Sequence, residues 1–108
     1  MVDNPRTIDP NEVRFSQRSV SYRFRDGRAI DQLAEGLRIG AVKPAEVPPI
    51  RLVARGGRWF TLDNRRLEAF RRAGVEVPFR EATAAEVAAE EWKFTTTNEG
   101  VSVVVRGQ

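Results

Sequence analysis

Trp59-Phe60-Thr61-Leu62-Asp63-Asn64-Arg65-Arg66-Leu67-Glu68-Ala69-Phe70 leaves an apolar strand pattern, crosses an Asp-Asn break and enters a helix pattern headed by two adjacent arginines. Asp63 and Asn64 are residues of the capping type, because a short side-chain oxygen accepts from the free amides of a helix's first turn. Arg65 and Arg66 then stand where those amides and the positive end of the helix dipole favour an anion. The corner reads either as a capped helix start or as a phosphate site, and spacing alone leaves both open.

Immediately upstream, Ile50–Arg55 and Arg58–Leu62 flank Gly56-Gly57, a pair that tolerates positive φ and predicts a β-hairpin. Downstream, Arg65–Ala73 reads as a helix with Leu67 and Phe70 facing inward and Gly74 stopping it. Val75–Phe79 reads as a short strand near a sheet edge, because Pro78 cannot donate to a ladder. Further back, Ile30, Leu33, Ala34 and Leu37 fall at i, i+3, i+4 and i+7, the apolar stripe of a helix ending at Gly40. Pro44–Val47 allows one tight helical turn at most. Ile8–Phe15 predicts a turn at Pro10 and then a short strand. Phe15–Phe24 alternates unevenly, so a half-buried strand and a loop displaying Ser16, Gln17, Ser19 and Arg23 are both consistent with it.

Thr83-Ala84-Ala85-Glu86 has the form of a capping box opening an Ala- and Glu-rich helix to about Glu91. Trp92–Thr97 and Val101–Arg106 alternate around Asn98-Glu99-Gly100, which predicts a second hairpin. Residues 1–7 read as a polar lead-in or junction, as expected of a piece excised from a longer protein. Residues 8–106 read as one continuous domain.

A chain of 108 residues has room for one core. Its 41% hydrophobic and 31% charged residues are those of a soluble globular protein. The apolar runs fall far short of the ~20 residues that span a bilayer, so no membrane segment is expected, and the start of the chain has no apolar signal core. Of 18 basic residues only Lys43 and Lys93 are lysines. Arginine's planar fork suits bidentate phosphate contact and stacking; GC-rich codon usage would enrich the same residue. Cys and His are both absent. Disulfides, thiolate nucleophiles, zinc-sulfur sites, Ser-His-Asp triads and histidine acid–base pairs are therefore excluded. What remains is carboxylates, arginines, amides, hydroxyls, Tyr22, or a magnesium ion held by oxygens.

The order of pieces resembles the ParB/sulfiredoxin-like fold over about Ile8–Phe79. Asp31–Leu37 is similar to that family's first helix, Pro49–Val53 to its following strand, and Arg65-Arg66-Leu67 to its paired-arginine motif. The family's glycine before the arginines is replaced by Asp63-Asn64, which counts against ParB-type CTP binding, and the sulfiredoxin cysteine has no counterpart. A nearer resemblance, across most of the chain, is to ParB-like nuclease toxins at the C-termini of bacterial polymorphic toxins of the Rhs, WapA and contact-dependent inhibition types. It rests on Val13–Gln17, Ser19–Ser21, the Gly-x-x-Ile of Gly27–Ile30, Pro48–Arg51, Leu62–Phe70 and Trp92–Val103. The expected fold is accordingly α+β, a small mixed domain with a central mixed sheet, two to three helices and a C-terminal β-hairpin.

That resemblance implies a monomeric effector nuclease, part of a secreted or delivered toxin that acts in the cytoplasm of a competitor cell and is neutralised by a cognate immunity protein. Its substrate would be nucleic acid, with RNA (tRNA or rRNA) favoured over DNA because the 2′-hydroxyl permits cleavage without a metal. Arg65 and Arg66 are the candidates for holding a phosphate and stabilising its transition-state charge. Asp63 is the candidate acid–base group or metal ligand, with a helix cap as its other reading. Asn64, Ser16, Gln17, Ser19, Arg23, Thr97 and Asn98 are the candidates for nucleic-acid contact, with Thr95 and Ser102 beside them. No dedicated metal site is expected, although magnesium remains possible. The alternatives are a non-catalytic ParB-like module that binds nucleotide or nucleic acid, and a kinase or ATPase using Glu12 or Asp63.

Overall fold

A computed structural model describes residues 6–107. The Gly56-Gly57 hairpin forms as its sequence requires. β4 (Ile50–Arg55) pairs antiparallel with β5 (Arg58–Thr61), Arg55 opposite Arg58, and both glycines have positive φ, 57° and 78°. Alternation along β4 sends Ile50 and Leu52 into the main core and turns Arg51 and Arg55 to the opposite face of the sheet. The apolar side is covered by α1 (Ile30–Ile39) and α2 (Asn64–Ala73), which pack on one another and contribute Leu37, Leu67 and Phe70 to that core. Both helices end at a glycine in the left-handed region, Gly40 and Gly74.

Three further strands complete the central sheet. β6 (Val77–Glu81) runs parallel to β4, and β2 (Val13–Phe15), which follows a 3-10 turn at Pro10–Glu12, runs parallel to β5. The two-residue β1 (Thr7–Ile8) lies outside β6, giving the order β1-β6-β4-β5-β2. β6 is thus one strand in from the edge, with only the two-residue β1 outside it. Thr7 belongs to the sheet, so the expected lead-in over 1–7 is too long by this residue; residues 1–5 lie outside the described part. α3 (Ala84–Ala89) begins with the expected capping box, Thr83 accepting from the Glu86 amide at 3.1 Å while Glu86 accepts from that of Thr83 at 2.9 Å. The mixed sheet and three helices make this an α+β domain.

The C-terminal hairpin does not form. Trp92–Thr97 begins in a 3-10 turn, and β7 (Val104–Arg106) pairs parallel with β3 (Ser19–Ser21) in a second, two-stranded sheet. The Phe15–Phe24 stretch claims the bonding groups that a hairpin would need. The Thr95 and Thr96 amides donate to the Ser16 carbonyl at 2.9 and 3.0 Å, and the Phe15 amide donates to the Gly100 carbonyl at 2.9 Å. The apolar alternation was real, but it serves two clusters. Phe94 packs on Phe60, while Val103 and Val105 pack beside Val20, Ile30, Ala34 and Ala69.

The turn Asn98-Glu99-Gly100 survives as the pivot of this crossing. A Cβ at Gly100 would lie 2.3 Å from the Phe15 carbonyl oxygen, and its φ is +72°. Gly100→Ala is therefore expected to cost about 3 kcal/mol in urea denaturation. Gly27→Ala, at φ +89° with nothing within 4 Å, should cost only about 1 kcal/mol. Equal losses for the two would show that the crossing relaxes freely.

Candidate functional site

The corner between β5 and α2 is built by an arginine on the strand beside it. Thr61 Oγ1 donates to the Arg51 carbonyl at 3.1 Å and accepts from the Asp63 amide at 2.9 Å, which seats Asp63 opposite the Arg51 side chain. The Asp63 carboxylate accepts from the Arg51 amide at 2.8 Å, from Nε at 3.1 Å and from Nη2 at 2.9 Å. Arg66 Nη2 adds a bond at 3.2 Å. Asp63 does occupy the N-cap position, its carbonyl accepting from Leu67, but its side chain makes no capping bond. A carboxylate gripped sideways by Arg51 cannot also reach the first-turn amides. The other reading of Asp63, a side-chain helix cap, is thereby corrected, and the first turn of α2 is left without a side-chain cap.

Arg51 reaches further than Asp63. Across the sheet its guanidinium bonds Glu90, with Nη2 to Oε1 at 3.1 Å and a second bond from Nη1, and it approaches Glu86 at 3.5 Å. Glu86 is shared with Arg80 at 2.7 Å, and Glu91 pairs with Arg55 at 2.6 Å. The acidic face of α3 and the turn after it thus rests on a row of sheet arginines. Lys93 closes the arrangement by bonding Glu90 at 2.6 Å and the Leu62 carbonyl at 2.8 Å. Arg66 is anchored as firmly, to the Pro48 and Pro49 carbonyls at 3.0 and 3.1 Å.

Burial would raise the Asp63 carboxyl, but the Arg51 hydrogen bonds and the charge of Arg66 outweigh it and hold it below its ordinary value. Glu90 is likewise penalised by burial and held low by Arg51 and Lys93. The Asp63 bonds in turn raise Arg51 above the usual arginine range. A carboxylate held this firmly in its charged form is a poor proton carrier near neutrality.

Asn64 is a clamp. Almost fully buried, it accepts through Oδ1 from the Ser16 and Gln17 amides at 2.9 and 3.3 Å. Its Nδ2 donates to Ser16 Oγ at 3.0 Å and to Gln17 Oε1 at 3.1 Å. Ser16 is fully buried beneath it, so neither residue presents a free polar group to a ligand. These bonds fasten the 15–17 loop to the start of α2.

Above this floor opens a cleft of about 620 Å³. Gln17, Asp63, Asn64, Arg65 and Arg66 line it among the residues expected from sequence; Ser16, Ser19, Arg23, Thr97 and Asn98 do not. Asn98 is held in its own turn, bonding Ser102 at 3.0 Å and Thr96 at 2.9 Å, and Thr95 accepts from the Arg18 amide. Arg23 donates to the Gly27 carbonyl at 2.8 Å. Sequence reading missed Arg25, Arg51, Glu90, Trp92, Lys93 and Arg106, all of which line the cleft. Lys93 carried a signal, as one of two lysines in an arginine-rich chain, and so did Arg51 in its Pro-Pro-Ile-Arg segment.

Six cationic side chains line the cleft against three carboxylates. Arg51, Arg66 and Lys93 are ion-paired with Asp63 and Glu90, three cations to two carboxylates, and Asp26 pairs with Arg28 outside the cleft. Most of the excess charge rests on Arg25, Arg65 and Arg106, none of which is in ion-pair contact with a carboxylate among the described residues. Arg65 is steadied by the Arg23 carbonyl at 3.0 Å. Among the described residues no three carboxylates gather as metal ligands, and Asp63 and Glu90 face Arg51.

No helix among the described residues is long and apolar enough to cross a membrane. No protein-family model, curated protein or solved structure matches the chain.

With the Arg51 side chain 18% exposed and that of Asp63 6%, Arg51→Met is expected to cost about 3 kcal/mol, because it removes the main partner of the buried Asp63 carboxylate and one of the two cations bonded to half-buried Glu90. The pH dependence follows from the lowered carboxyls. Their contribution is complete above the ordinary values of 3.8 for Asp63 and 4.5 for Glu90, and it is lost as pH falls through the lower folded values. Urea midpoints of the native chain should therefore drop steeply below about pH 4, and those of Arg51→Met should drop less. Parallel profiles would contradict the assignment.

Proposed function

We propose that the cleft at the start of α2 binds the phosphate backbone of nucleic acid and that the domain is a nuclease, with RNA favoured, of the ParB-like toxin kind its motifs resemble. The observation that carries the reading is the uncompensated charge of Arg25, Arg65 and Arg106 around a helix start without a side-chain cap. Phosphate would be drawn there by the guanidinium forks and by the positive end of α2. Arg65 is the residue placed to hold it. Arg66, already tied to Asp63 and two carbonyls, supports the corner and adds to its field.

Cleavage on this reading proceeds by charge stabilisation: the 2′-hydroxyl of RNA attacks the adjacent phosphorus, the bond to the 5′-oxygen breaks to leave a 2′,3′-cyclic phosphate, the hydroxyl proton passes through water to the leaving 5′-oxygen, and the arginine side chains offset the extra negative charge of the phosphorane-like transition state. Delivery into competitor cells and neutralisation by a cognate immunity protein belong to the same proposal. A second reading, a non-catalytic module that binds nucleotide or nucleic acid, draws support from the carboxylates of the cleft. Asp63 and Glu90 are held charged by arginine and lysine, which leaves neither poised as a general base.

Expression in bacterial cells, with and without the neighbouring gene, separates the two. The nuclease reading expects growth arrest, loss of tRNA or rRNA integrity, rescue by the neighbour, and relief by Arg65→Ala. Normal growth with intact RNA would overturn it and leave the binding module. In either case the logarithm of RNA affinity should fall linearly with the logarithm of salt. The slope should shrink by about 0.7 for each of Arg25, Arg65 and Arg106 changed to alanine. An unchanged slope in all three variants would exclude this cleft as the phosphate site.

A further inference from the structure

Among the described residues Ile39, Trp92, Val101 and Val104 are large apolar side chains left exposed, and Trp92, at 65%, is the aromatic one. It is also the one that lines the cleft. An open indole forgoes apolar burial that a ring of this size normally gains. The backbone that carries it is nonetheless fixed from both sides. Glu91 is held by Arg55, Lys93 by the Leu62 carbonyl and Glu90, and Phe94 by Phe60 and by the Arg55 guanidinium 3.5 Å from its ring centre. The residues on each side of Trp92 point to anchors while its own ring stays at the rim. Lys93 Nζ lies 5.7 Å from that ring, which keeps the platform beside positive charge. Phe24, the other aromatic of the cleft, is half-buried and less open to a ligand.

We propose that Trp92 is a stacking platform for an unpaired base, which makes single-stranded nucleic acid the substrate class of the cleft. The inference rests on the phosphate-binding reading above and adds the base to it. A duplex keeps its base faces stacked inside the helix and offers no ring to Trp92, whereas a loop or single strand splays bases outward onto aromatic side chains. Phosphates on Arg25, Arg65 and Arg106 and a base on Trp92 would together hold one stretch of strand across the cleft.

The test uses Trp59→Phe as background, because Trp59 and Trp92 are the two tryptophans and the remaining fluorescence then reports Trp92 alone. The probes are a short 2′-O-methylated single strand, which resists cleavage through the 2′-hydroxyl, a duplex of the same length and inorganic polyphosphate. The single strand should quench Trp92 and bind more tightly than the duplex. Trp92→Ala should weaken single-strand binding by about fivefold or more and leave polyphosphate binding unchanged, with Trp92→Phe recovering much of the loss. A single strand that binds without quenching, and equally well to Trp92→Ala, would overturn the stacking platform while the phosphate reading stands. If neither polyphosphate nor either nucleic acid binds, the phosphate reading fails and the platform with it.

Discussion

The guanidinium of Arg51 is the constraint on which the rest of the structure turns. It projects from the centre of the sheet on the side away from α1 and α2, and a cation so placed must be matched by charge and hydrogen bonds. Asp63 matches it from the start of α2, and Glu90 from the end of α3. Sheet, helix start and C-terminal segment are thereby fixed to one side chain. The cost falls on α2, which loses Asp63 as a cap. Arg66 and Lys93 share the two carboxylates with it. Three cations on two carboxylates leave the cluster little net charge, so most of the positive field of the cleft comes from arginines outside it.

This division gives neighbouring residues different work. Arg65 and Arg66 are adjacent in sequence and indistinguishable by composition. One is fastened to Asp63 and the Pro48 and Pro49 carbonyls, while the other touches a single carbonyl and no carboxylate. Asp63 and Asn64 divide similarly, one anchoring the sheet arginine and the other the 15–17 loop. A corner that could have been a row of catalytic groups is largely a structural knot with one arginine facing out.

Local signals were legible wherever one residue type has one backbone consequence. The Gly56-Gly57 hairpin, the apolar stripe of α1, the Thr83–Glu86 capping box and the glycine stops at Gly40 and Gly74 depend on near neighbours, and each formed. The second hairpin failed because the alternation of Trp92–Arg106 does not say which partner a strand will take. Residues 15–18, some eighty positions earlier in the chain, took the bonds instead. The site shows the same limit. Its corner was visible as an Asp-Asn break before two arginines. The fate of Asp63 was not, since it is set by Arg51 twelve positions away and by Glu90 beyond α3. Arg25, Trp92 and Arg106 carried no spacing that marked them, because three separate segments bring them to one cleft.

The central claim is that ligand is met by the uncompensated arginines while the Arg51 cluster holds the fold. Its most direct test follows the arginine side-chain Nε–H signals by NMR during titration with single-stranded RNA in a cleavage-resistant form. The account predicts that Arg25, Arg65 and Arg106 shift progressively and lose those shifts as salt is raised, while Arg51 and Arg66 stay nearly fixed. Shifts confined to arginines remote from the cleft, such as Arg14 and Arg58, or a large response at Arg51 with none at Arg65, would contradict it.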